Sequence, residues 1–488
     1  MNIIVNNENE NENEMYHNRY QSQLHKLKRL FHEIREAIAG SEYDYTSLSL
    51  RKALILLSIP MVLEMLMESV FVIFDIYFVS KLGAEAVSIM GLTESLLTLV
   101  YAFGIGFAIS ATAIVSRRIG EKEPRKASHA AVQALLVTIT FSATIAIAGL
   151  LFSDDLLRLM GASEGSIRSY SGYTRWMLVG NATIILLFVL NGILRGAGDA
   201  AIAMRVLWLA NFINVVLDPM LIFGLGPFPQ LGIEGAAIAT NCGRGIGVLY
   251  QLYSLIFGTR SRLRFAIRDL VPNMPQIKTF LKLSYAGIFQ LLIATTSWIG
   301  LVRIISSFGS ISVAGYTVGL RIMIFAMLPA SGISNAAATL MGQNLGAKNP
   351  QKAERSVWVS GLVNAIFMGI TGLIILLIPD SIISILTDDP LVIAKGADCM
   401  RIMSIGFVAY GFGMVVVHSL NGAGDTFSPM IINLFCFWLF EIPLAYFFAI
   451  HLGMNERGVY YAIVIAETCM TLTAILVFRR GKWKMQKV

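Results

Sequence analysis

The chain has 488 residues, of which 56% are hydrophobic and 14% charged, with a formal net charge of +7 and a mean hydropathy of +0.67. Soluble domains carry about 25% charged residues, so this composition excludes a soluble globular protein. Apolar runs of about twenty residues that do not alternate with polar ones predict an all-α integral membrane protein rather than a β-barrel.

The first fifty residues are predicted to form a cytoplasmic tail with two parts. Residues 1–14 contain an Asn/Glu low-complexity run that is too polar to pack, so we expect them to be disordered. Within residues 20–38, apolar side chains recur at helical spacing between Lys and Arg, which predicts a basic amphipathic helix. Such a helix either lies on an anionic membrane surface or remains in solvent without a partner, and both alternatives stay open.

Twelve transmembrane helices are predicted after this tail. The connections after spans 2, 6 and 8 and the C-terminal end are rich in Lys and Arg, whereas the connections on the opposite side are poor in them. By the positive-inside rule both termini face the cytoplasm of a protein in the inner (plasma) membrane, and nucleic-acid binding is not needed to explain the net charge. The predicted limits are 53–80, 86–112, 127–152, 172–194, 201–224, 233–257, 279–305, 312–340, 353–378, 397–420, 427–450 and 457–478.

One loop sequence occurs twice in the chain. The sequence LRGAGD ends at Asp199 and LNGAGD ends at Asp425, 226 residues later, with one substitution in six. The same offset holds without a gap from about residue 57 to about residue 240, also in polar loops, so we infer a duplication. The loop glycines permit a tight turn, and each aspartate is predicted to cap the helix that follows.

The duplication predicts two six-helix lobes. Because six is an even number, both halves begin and end on the same side of the membrane, and a pseudo-two-fold axis along the membrane normal should relate them. The predicted parts are a tail at 1–50, an N-lobe at 51–260, an inter-lobe cytoplasmic linker at 261–278, a C-lobe at 279–478 and a basic cytoplasmic tail at 479–488.

The two halves differ in their intramembrane acids. Span 1 carries Glu64, Glu68 and Asp75 within about 40° of one another around the helix, and span 5 carries Asn214 and Asp218 four residues apart. A carboxylate near the bilayer centre costs at least about 2.5 kcal/mol, so these groups should face protein or a watery cavity. The equivalent positions of the second half are uncharged: Gln290, Ala294, Leu301, Phe440 and Leu444.

The first half is therefore predicted to be specialised for a cation or a proton. Thr240 in span 6 is likewise a polar residue whose counterpart in the second half, Ala466, is nonpolar. Glu94, Glu441 and Glu467 are also intramembrane and are candidates for lining a cavity for a cationic substrate. The alternative, which stays open for Glu64 and Glu68 above all, is that these acids are structural partners of intramembrane arginines; the candidates are Arg175, Arg244, Arg303 and Arg321.

These features together resemble the multidrug and toxic compound extrusion (MATE) transporters, and most closely their DinF-like branch. The resemblance spans about residues 50–478 and rests on Pro60 fifteen residues before Asp75, the following FDIYFVSKLG stretch, the Asn214–Asp218 pair and the doubled GAGD loop. It implies an antiporter that exports organic cations or other amphipaths in exchange for H+ or Na+. It also implies a cation site in the N-lobe at Asp75, Asn214, Asp218 and Thr240, with Glu64 and Glu68 outside that set.

Other functions are weighed on the same residues. A flippase for lipid-linked precursors is the main alternative, but it would prefer a strongly cationic cavity for pyrophosphate. An enzyme is not expected because no nucleophile–base or metal-ligand set is apparent, and no phosphate-binding glycine loop indicates an ATP-driven pump. We expect a lipid-embedded monomer without a cofactor; the cargo and the choice between H+ and Na+ are not determined by the sequence.

Overall fold

The computed structural model describes residues 28–29, 31–40, 43–258 and 261–486, and their regular structure is helical. The first part of the chain, including residues 1–14 and most of the residues before 28, therefore lies outside the described residues. The spans are Leu50–Ser80 (span 1), Ala84–Gly120 (2), Pro124–Leu159 (3), Glu164–Val179 with Asn181–Ala197 (4), Ala200–Phe223 (5), Ile233–Ile256 (6), Met274–Ser306 (7), Ser310–Gly346 (8), Pro350–Leu377 (9), Pro390–Ser404 with Phe407–Gly422 (10), Phe427–His451 (11) and Glu456–Arg479 (12).

Most of these helices are apolar enough to cross a bilayer. Within the described residues ten pass by length and hydropathy, and the bent pair that forms span 10 makes an eleventh. Span 6 is the remaining one, and Asn241, Arg244 and four glycines explain its lower apolarity. This polarity is informative because span 6 contributes to the site described below.

Spans 4 and 10 differ from their predicted limits of 172–194 and 397–420. Each is a longer, interrupted helix, and the two segments of span 10 meet at an angle of 60°. Gly180 directly precedes the second segment of span 4, and Gly406, at the equivalent position, directly precedes that of span 10. Glycine is a poor helix former, so both interruptions follow from the same inherited residue.

The two halves keep the offset of 226 residues in their backbone. Lys122 and Lys348, both between consecutive spans, have the left-handed φ values 60° and 58°, which are uncommon for residues other than glycine. Gly198 and Gly424 of the doubled loop have φ values of 89° and 87°. A duplicated local conformation at such special positions supports the interpretation that the halves are structural repeats.

Each half has its own buried core. Leu97 belongs to a hydrophobic cluster that lies mainly in spans 2–6 and includes Phe280 of span 7, whereas Phe407 and Phe478 belong to two clusters formed by spans 7–12 and the chain end. The cores also meet, because span 1 packs on span 8 and span 7 packs on span 2, so a movement of the lobes has to change these contacts.

The lobes touch most closely where spans 2 and 8 end. A Cβ atom on Gly120 would lie 2.0 Å from the carbonyl oxygen of Gln343, and one on Gly346 would lie 2.1 Å from that of Arg117. Under the repeat offset these two contacts are equivalent, so the same backbone contact is made twice. We call this face, where the described ends of the chain and residues 261–273 also lie, the terminal side; it is closed in this structure.

Both ends of the chain reinforce the closed terminal side. Before span 1, the Tyr45 hydroxyl donates a hydrogen bond to the Gly198 carbonyl in the N-lobe at 3.2 Å. The Lys352 ammonium at the start of span 9 donates to the Leu48 carbonyl at 2.7 Å, which ties the same segment to the C-lobe. At the other end, Arg117 of span 2 donates to the carbonyl of Gln486.

The described part of the amphipathic helix, residues 31–39, is helical as predicted. Glu33 and Ala37 face the protein, whereas the apolar side chains of Phe31 and Ile38 are exposed. An apolar face that is directed away from the protein fits contact with a membrane surface better than a helix solvated on all sides.

The prediction that both loop aspartates cap the next helix is right for Asp425 and wrong for Asp199. Asp425 accepts a hydrogen bond from the Ser428 backbone N–H at 3.2 Å. The carboxylate of Asp199 instead accepts from the Ser261 hydroxyl at 2.9 Å and the Arg262 backbone N–H at 3.0 Å. The cause is the inter-lobe linker, which passes the first loop and supplies both donors.

The glycine contacts predict how the terminal side opens. Gly120→Ala and Gly346→Ala each place a methyl group against a backbone carbonyl, so the lobes must separate there. We expect Ser116→Cys, at a buried position near this contact, to react with an aqueous maleimide about tenfold faster in either variant, the effect of a shift of about 1.4 kcal/mol.

The matched control is Gly91→Ala in the same span, because a Cβ there meets nothing within 4 Å. Each measurement uses a background in which the four natural cysteines are replaced. Equal labelling rates in Gly120→Ala and Gly91→Ala would contradict the assignment of Gly120 to a closed lobe contact.

Candidate functional site

Asn214, Asp218 and Thr240 form a compact buried group inside the N-lobe. The Asn214 side-chain N–H group donates to Asp218 Oδ1 at 3.2 Å and to Thr240 Oγ1 at 3.1 Å. Their relative exposures are 2%, 0% and 4%, so all three lie away from bulk solvent. The structure thus brings together three of the four residues that the resemblance assigned to a cation site.

The close approach of spans 5 and 6 creates this group. A Cβ on Gly243 would lie 2.6 Å from the Ala210 carbonyl oxygen, and one on Gly235 would lie 2.6 Å from that of Leu221. Small residues allow two membrane helices to approach closely, and here they bring Thr240 to the side chain of Asn214. Span 5 continues through Pro219 without an interruption.

The chemistry of the group suits either a proton or a small cation. A protonated Asp218 and an ionised one both remain compatible with the N–H groups of Asn214. A Na+ ion prefers oxygen ligands, and the Asp218 carboxylate and the Thr240 hydroxyl supply two. To add a third, Asn214 would have to rotate its amide so that Oδ1 replaces the N–H group.

Asp75 lies on span 1, but its side chain is outside the described part of the structure. Span 1 itself is held against span 5 by side-chain donors to its backbone. Trp208 donates to the Leu63 carbonyl at 3.2 Å and Asn211 to the Met67 carbonyl at 3.3 Å. A helix tethered through its carbonyl groups can shift when the neighbouring span changes.

A second, half-buried polar group surrounds Arg244 on span 6. The guanidinium is a hydrogen-bond partner of the Tyr101 hydroxyl and faces the carboxylates of Glu68 and Glu94. These four residues, the Arg244 cluster, come from spans 1, 2 and 6. For Glu68 and Glu94 the structure therefore favours the alternative of a partner arginine, and it places both acids at one cluster.

Glu64 has a different partner from the arginines considered in the sequence analysis. Its carboxylate lies 3.2 Å from the Arg195 guanidinium in the last turn of span 4. Arg195 is the substitution that distinguishes the two GAGD loops, since Asn421 replaces it in the second half. Gln290, the counterpart of Glu64, exchanges two hydrogen bonds with Asn421 at 3.0 and 3.1 Å.

The signal for this ion pair was present in the sequence. Both members of one contact change together between the halves, from Glu64 and Arg195 to Gln290 and Asn421. Paired changes under a fixed offset indicate spatial contact, and this comparison would have identified Arg195.

Glu441 lies apart from the N-lobe groups, inside the C-lobe. The Ser297 hydroxyl of span 7 donates to its carboxylate at 2.9 Å, and Glu467 of span 12 faces it. The stretch Leu434–Glu441 of span 11 is a π-helix, which is frequent at functional sites. The equivalent residues of the N-lobe, Val215 and Asn241, are uncharged.

Comparison with known proteins identifies the family. The MatE family model matches residues 60–220 and 287–447, one match in each half. The chain belongs to the MatE family. It is therefore a membrane transporter and not an enzyme.

Two curated relatives illustrate the range of MatE proteins. The chain is 27% identical to "Probable multidrug resistance protein NorM" of Thermotoga maritima over 440 residues, which are 90% of this chain and 94% of the relative. It is 26% identical to "FAD transporter" of Shewanella oneidensis over 396 residues, which are 81% and 87%. Relatives with the same fold thus carry names that indicate different cargoes.

Solved structures agree with the described fold. A transporter of the MOP superfamily from Pyrococcus furiosus matches with a TM-score of 0.85 and 26% identity over 91% of this chain and 98% of that one. A structure described as an outward-facing MATE transporter matches with a TM-score of 0.84, also at 26% identity, with the same coverage. The prediction of an all-α membrane protein with twelve spans in two lobes is confirmed.

The packing of span 6 on span 5 gives a test of the site. Gly243→Ala adds a methyl group at a backbone contact of 2.6 Å and should displace Thr240 from Asn214. We expect a loss of stability of about 1–3 kcal/mol, measured as a lower melting temperature of the purified protein.

The control is Gly245→Ala, two residues further along span 6. Its Cβ would be 3.7 Å from Thr183 Cγ2, an ordinary contact. This variant should stay within about 0.5 kcal/mol of wild type. Similar losses in both variants would show that the helix tolerates no added methyl group and would contradict a specific role for the Gly243 contact.

Proposed function

We propose that the protein is a secondary active antiporter that exports organic cations or other amphipathic compounds in exchange for H+ or Na+. The observation that carries the proposal is the buried group of Asn214, Asp218 and Thr240 in only one of two duplicated lobes. The other lobe has Phe440, Leu444 and Ala466 at these positions. Intramembrane acids are expensive and mark ion pathways in transporters.

Asp75 joins this group in the proposal, because it lies on the span that packs against span 5. H+ would bind a carboxylate of the group, and Na+ would bind its oxygens with the Asn214 amide rotated. Binding of either ion neutralises a carboxylate of this group and changes the packing of span 1 on span 5. The position of Asp75, Asn214 and Asp218 in the N-lobe also supports assignment to the DinF-like branch.

Alternating access then arises from movement of the two lobes. We propose lobes of residues 51–260 and 279–478, with the terminal side and both termini in the cytoplasm and the chain in the plasma membrane. The Lys and Arg excess in the loops of that side supports this orientation. With its terminal side closed, the structure corresponds to an outward-facing state, as does the solved MATE transporter described in that way.

The Arg244 cluster supports a cationic cargo. Two carboxylates, Glu68 and Glu94, face one guanidinium, so the cluster favours positive over negative groups when both are ionised. The relative named as an FAD transporter makes an anionic cargo the main competitor. A lipid-linked precursor flippase is a further alternative. We propose that one chain suffices as the working unit, because it contains both lobes.

Asp218→Asn tests the coupling proposal. In cells without their own exporters, efflux of a cationic dye should fall at least about tenfold at equal membrane expression, a loss of about 1.4 kcal/mol or more of coupling. The control, Asp155→Asn, removes an exposed carboxylate that pairs with Arg158 at 2.7 Å and should keep wild-type efflux. Replacing Na+ or collapsing the pH gradient then separates the two ions.

Two outcomes would argue against the proposal. Wild-type efflux in Asp218→Asn would move coupling away from this group. Absence of dye efflux in wild type, together with transport of a flavin nucleotide or flipping of a lipid-linked precursor in liposomes, would replace the cationic cargo by an anionic one.

A further inference from the structure

We propose that the Glu64–Arg195 ion pair is a proton-sensitive clasp that links span 1 to the closed terminal side. The inference rests on the proposed function, since it assumes that an ion drives the movement of the lobes. It assigns a positioning role to two residues that lie outside the group of Asn214, Asp218 and Thr240.

The pair is deeply buried and connects two elements. The side chains of Glu64 and Arg195 have relative exposures of 1% and 11%. Glu64 belongs to span 1, which carries Asp75, and Arg195 to the last turn of span 4. In such surroundings, removing the charge of one partner leaves the other uncompensated, so the contact depends strongly on the ionisation of Glu64.

The turn that carries Arg195 is also a contact with the other lobe. The Arg195 carbonyl accepts a hydrogen bond from the Thr339 hydroxyl at 3.1 Å, and the Gly196 carbonyl accepts from the Gln343 side chain at 3.0 Å. Both donors lie on span 8, and the backbone carbonyl of Gln343 is the atom that faces Gly120 at the closed contact. Glu64 thus contacts the residue whose turn bonds to span 8, and span 1 itself also packs on span 8, where a Cβ on Gly332 would lie 2.7 Å from the Val62 backbone nitrogen.

The equivalent contact of the second half is formed by two uncharged side chains. Gln290 and Asn421 join span 7 to their own GAGD loop by two hydrogen bonds at 3.0 and 3.1 Å. A neutral amide pair is thus sufficient to hold the first helix of a lobe to this loop. The property that only the N-lobe pair has is a carboxylate that binds a proton.

The surroundings of the pair contain few charged groups that the structure describes. Glu68 acts on Glu64 from one turn further along span 1, and Arg195 acts on it from span 4. His418 of span 10 faces Arg195, and its ring nitrogen Nδ1 lies 3.2 Å from Asn335 Oδ1. Protonation of Glu64 would therefore remove the negative partner of Arg195 while leaving Arg195 near His418.

The step requires only one proton. A proton binds the Glu64 carboxylate, the ion pair becomes a hydrogen bond from the guanidinium to a neutral acid, and the uncompensated charge of Arg195 weakens the anchor between its turn and span 1. The weakened anchor lets the turn of span 4 shift relative to spans 1 and 8, which opens the terminal side. Loss of the proton from Glu64 restores the pair and closes the terminal side again.

The decisive variant transplants the neutral pair of the second half into the first. Glu64→Gln with Arg195→Asn should keep the contact and remove its dependence on a proton. Spin labels at Arg125→Cys and Gln351→Cys, equivalent exposed positions in the first turns of spans 3 and 9, report the opening of the terminal side. The background lacks the four natural cysteines.

In wild type, lowering the pH from about 8 to about 6 should raise the ratio of open to closed distances at least about fivefold, a typical coupling for a switch. In Glu64→Gln with Arg195→Asn, the ratio should change less than about twofold, with a melting temperature within about 2 °C of wild type. Arg195→Lys should keep the pH response, and Glu64→Gln with Arg195→Gln is the second neutral pair if the first does not accumulate.

A neutral-pair variant that opens with pH as wild type does would overturn the clasp and leave the pair a purely structural contact. So would a wild type whose distances do not respond to pH. The distance measurement needs no cargo, so it decides the clasp even if no dye is exported. Absence of export would contradict the proposed function alone.

Discussion

An ionised side chain inside the membrane must find compensation within the protein, and this requirement accounts for the paired charges that distinguish the N-lobe. Glu64 is compensated by Arg195, and Glu68 and Glu94 by Arg244. In the second half the equivalents of these residues are neutral. In the N-lobe these charges therefore occur in matched sets, unlike the two facing carboxylates of the C-lobe, Glu441 and Glu467.

The doubled GAGD loop shows how one backbone serves two purposes. Gly198 and Gly424 have nearly the same φ value, so the turn is conserved in shape. Yet the aspartate after the first binds the inter-lobe linker and the one after the second caps its own helix. The difference arises because the inter-lobe linker follows only the first half of the chain and passes beside the loop of that half.

Composition, hydropathy and the offset of 226 residues predicted the spans and the two lobes, and the resemblance to MATE transporters predicted which residues meet in the N-lobe. The meeting of Thr240 with Asn214 follows from a glycine contact between spans 5 and 6, which a sequence alone does not locate in space. The similarity of the two loops does not reveal the role of Arg195, because its contact with Glu64 shows only as a paired difference between the halves. The interruptions of spans 4 and 10 were missed because apolar residues continue across Gly180 and Gly406.

The closed terminal side combines contacts of two kinds, and the difference bears on how the transporter switches. The backbone contacts of Gly120 and Gly346 have no room for adjustment, so they are either made or fully broken. The electrostatic attraction between Glu64 and Arg195 acts over a longer distance, and its strength depends on the ionisation of Glu64. The backbone contacts give two defined states of the terminal side, open and closed. In the proposed clasp, the ionisation of Glu64 sets the balance between these two states. The proposed antiport needs both properties, since a leak through a half-open state would dissipate the ion gradient.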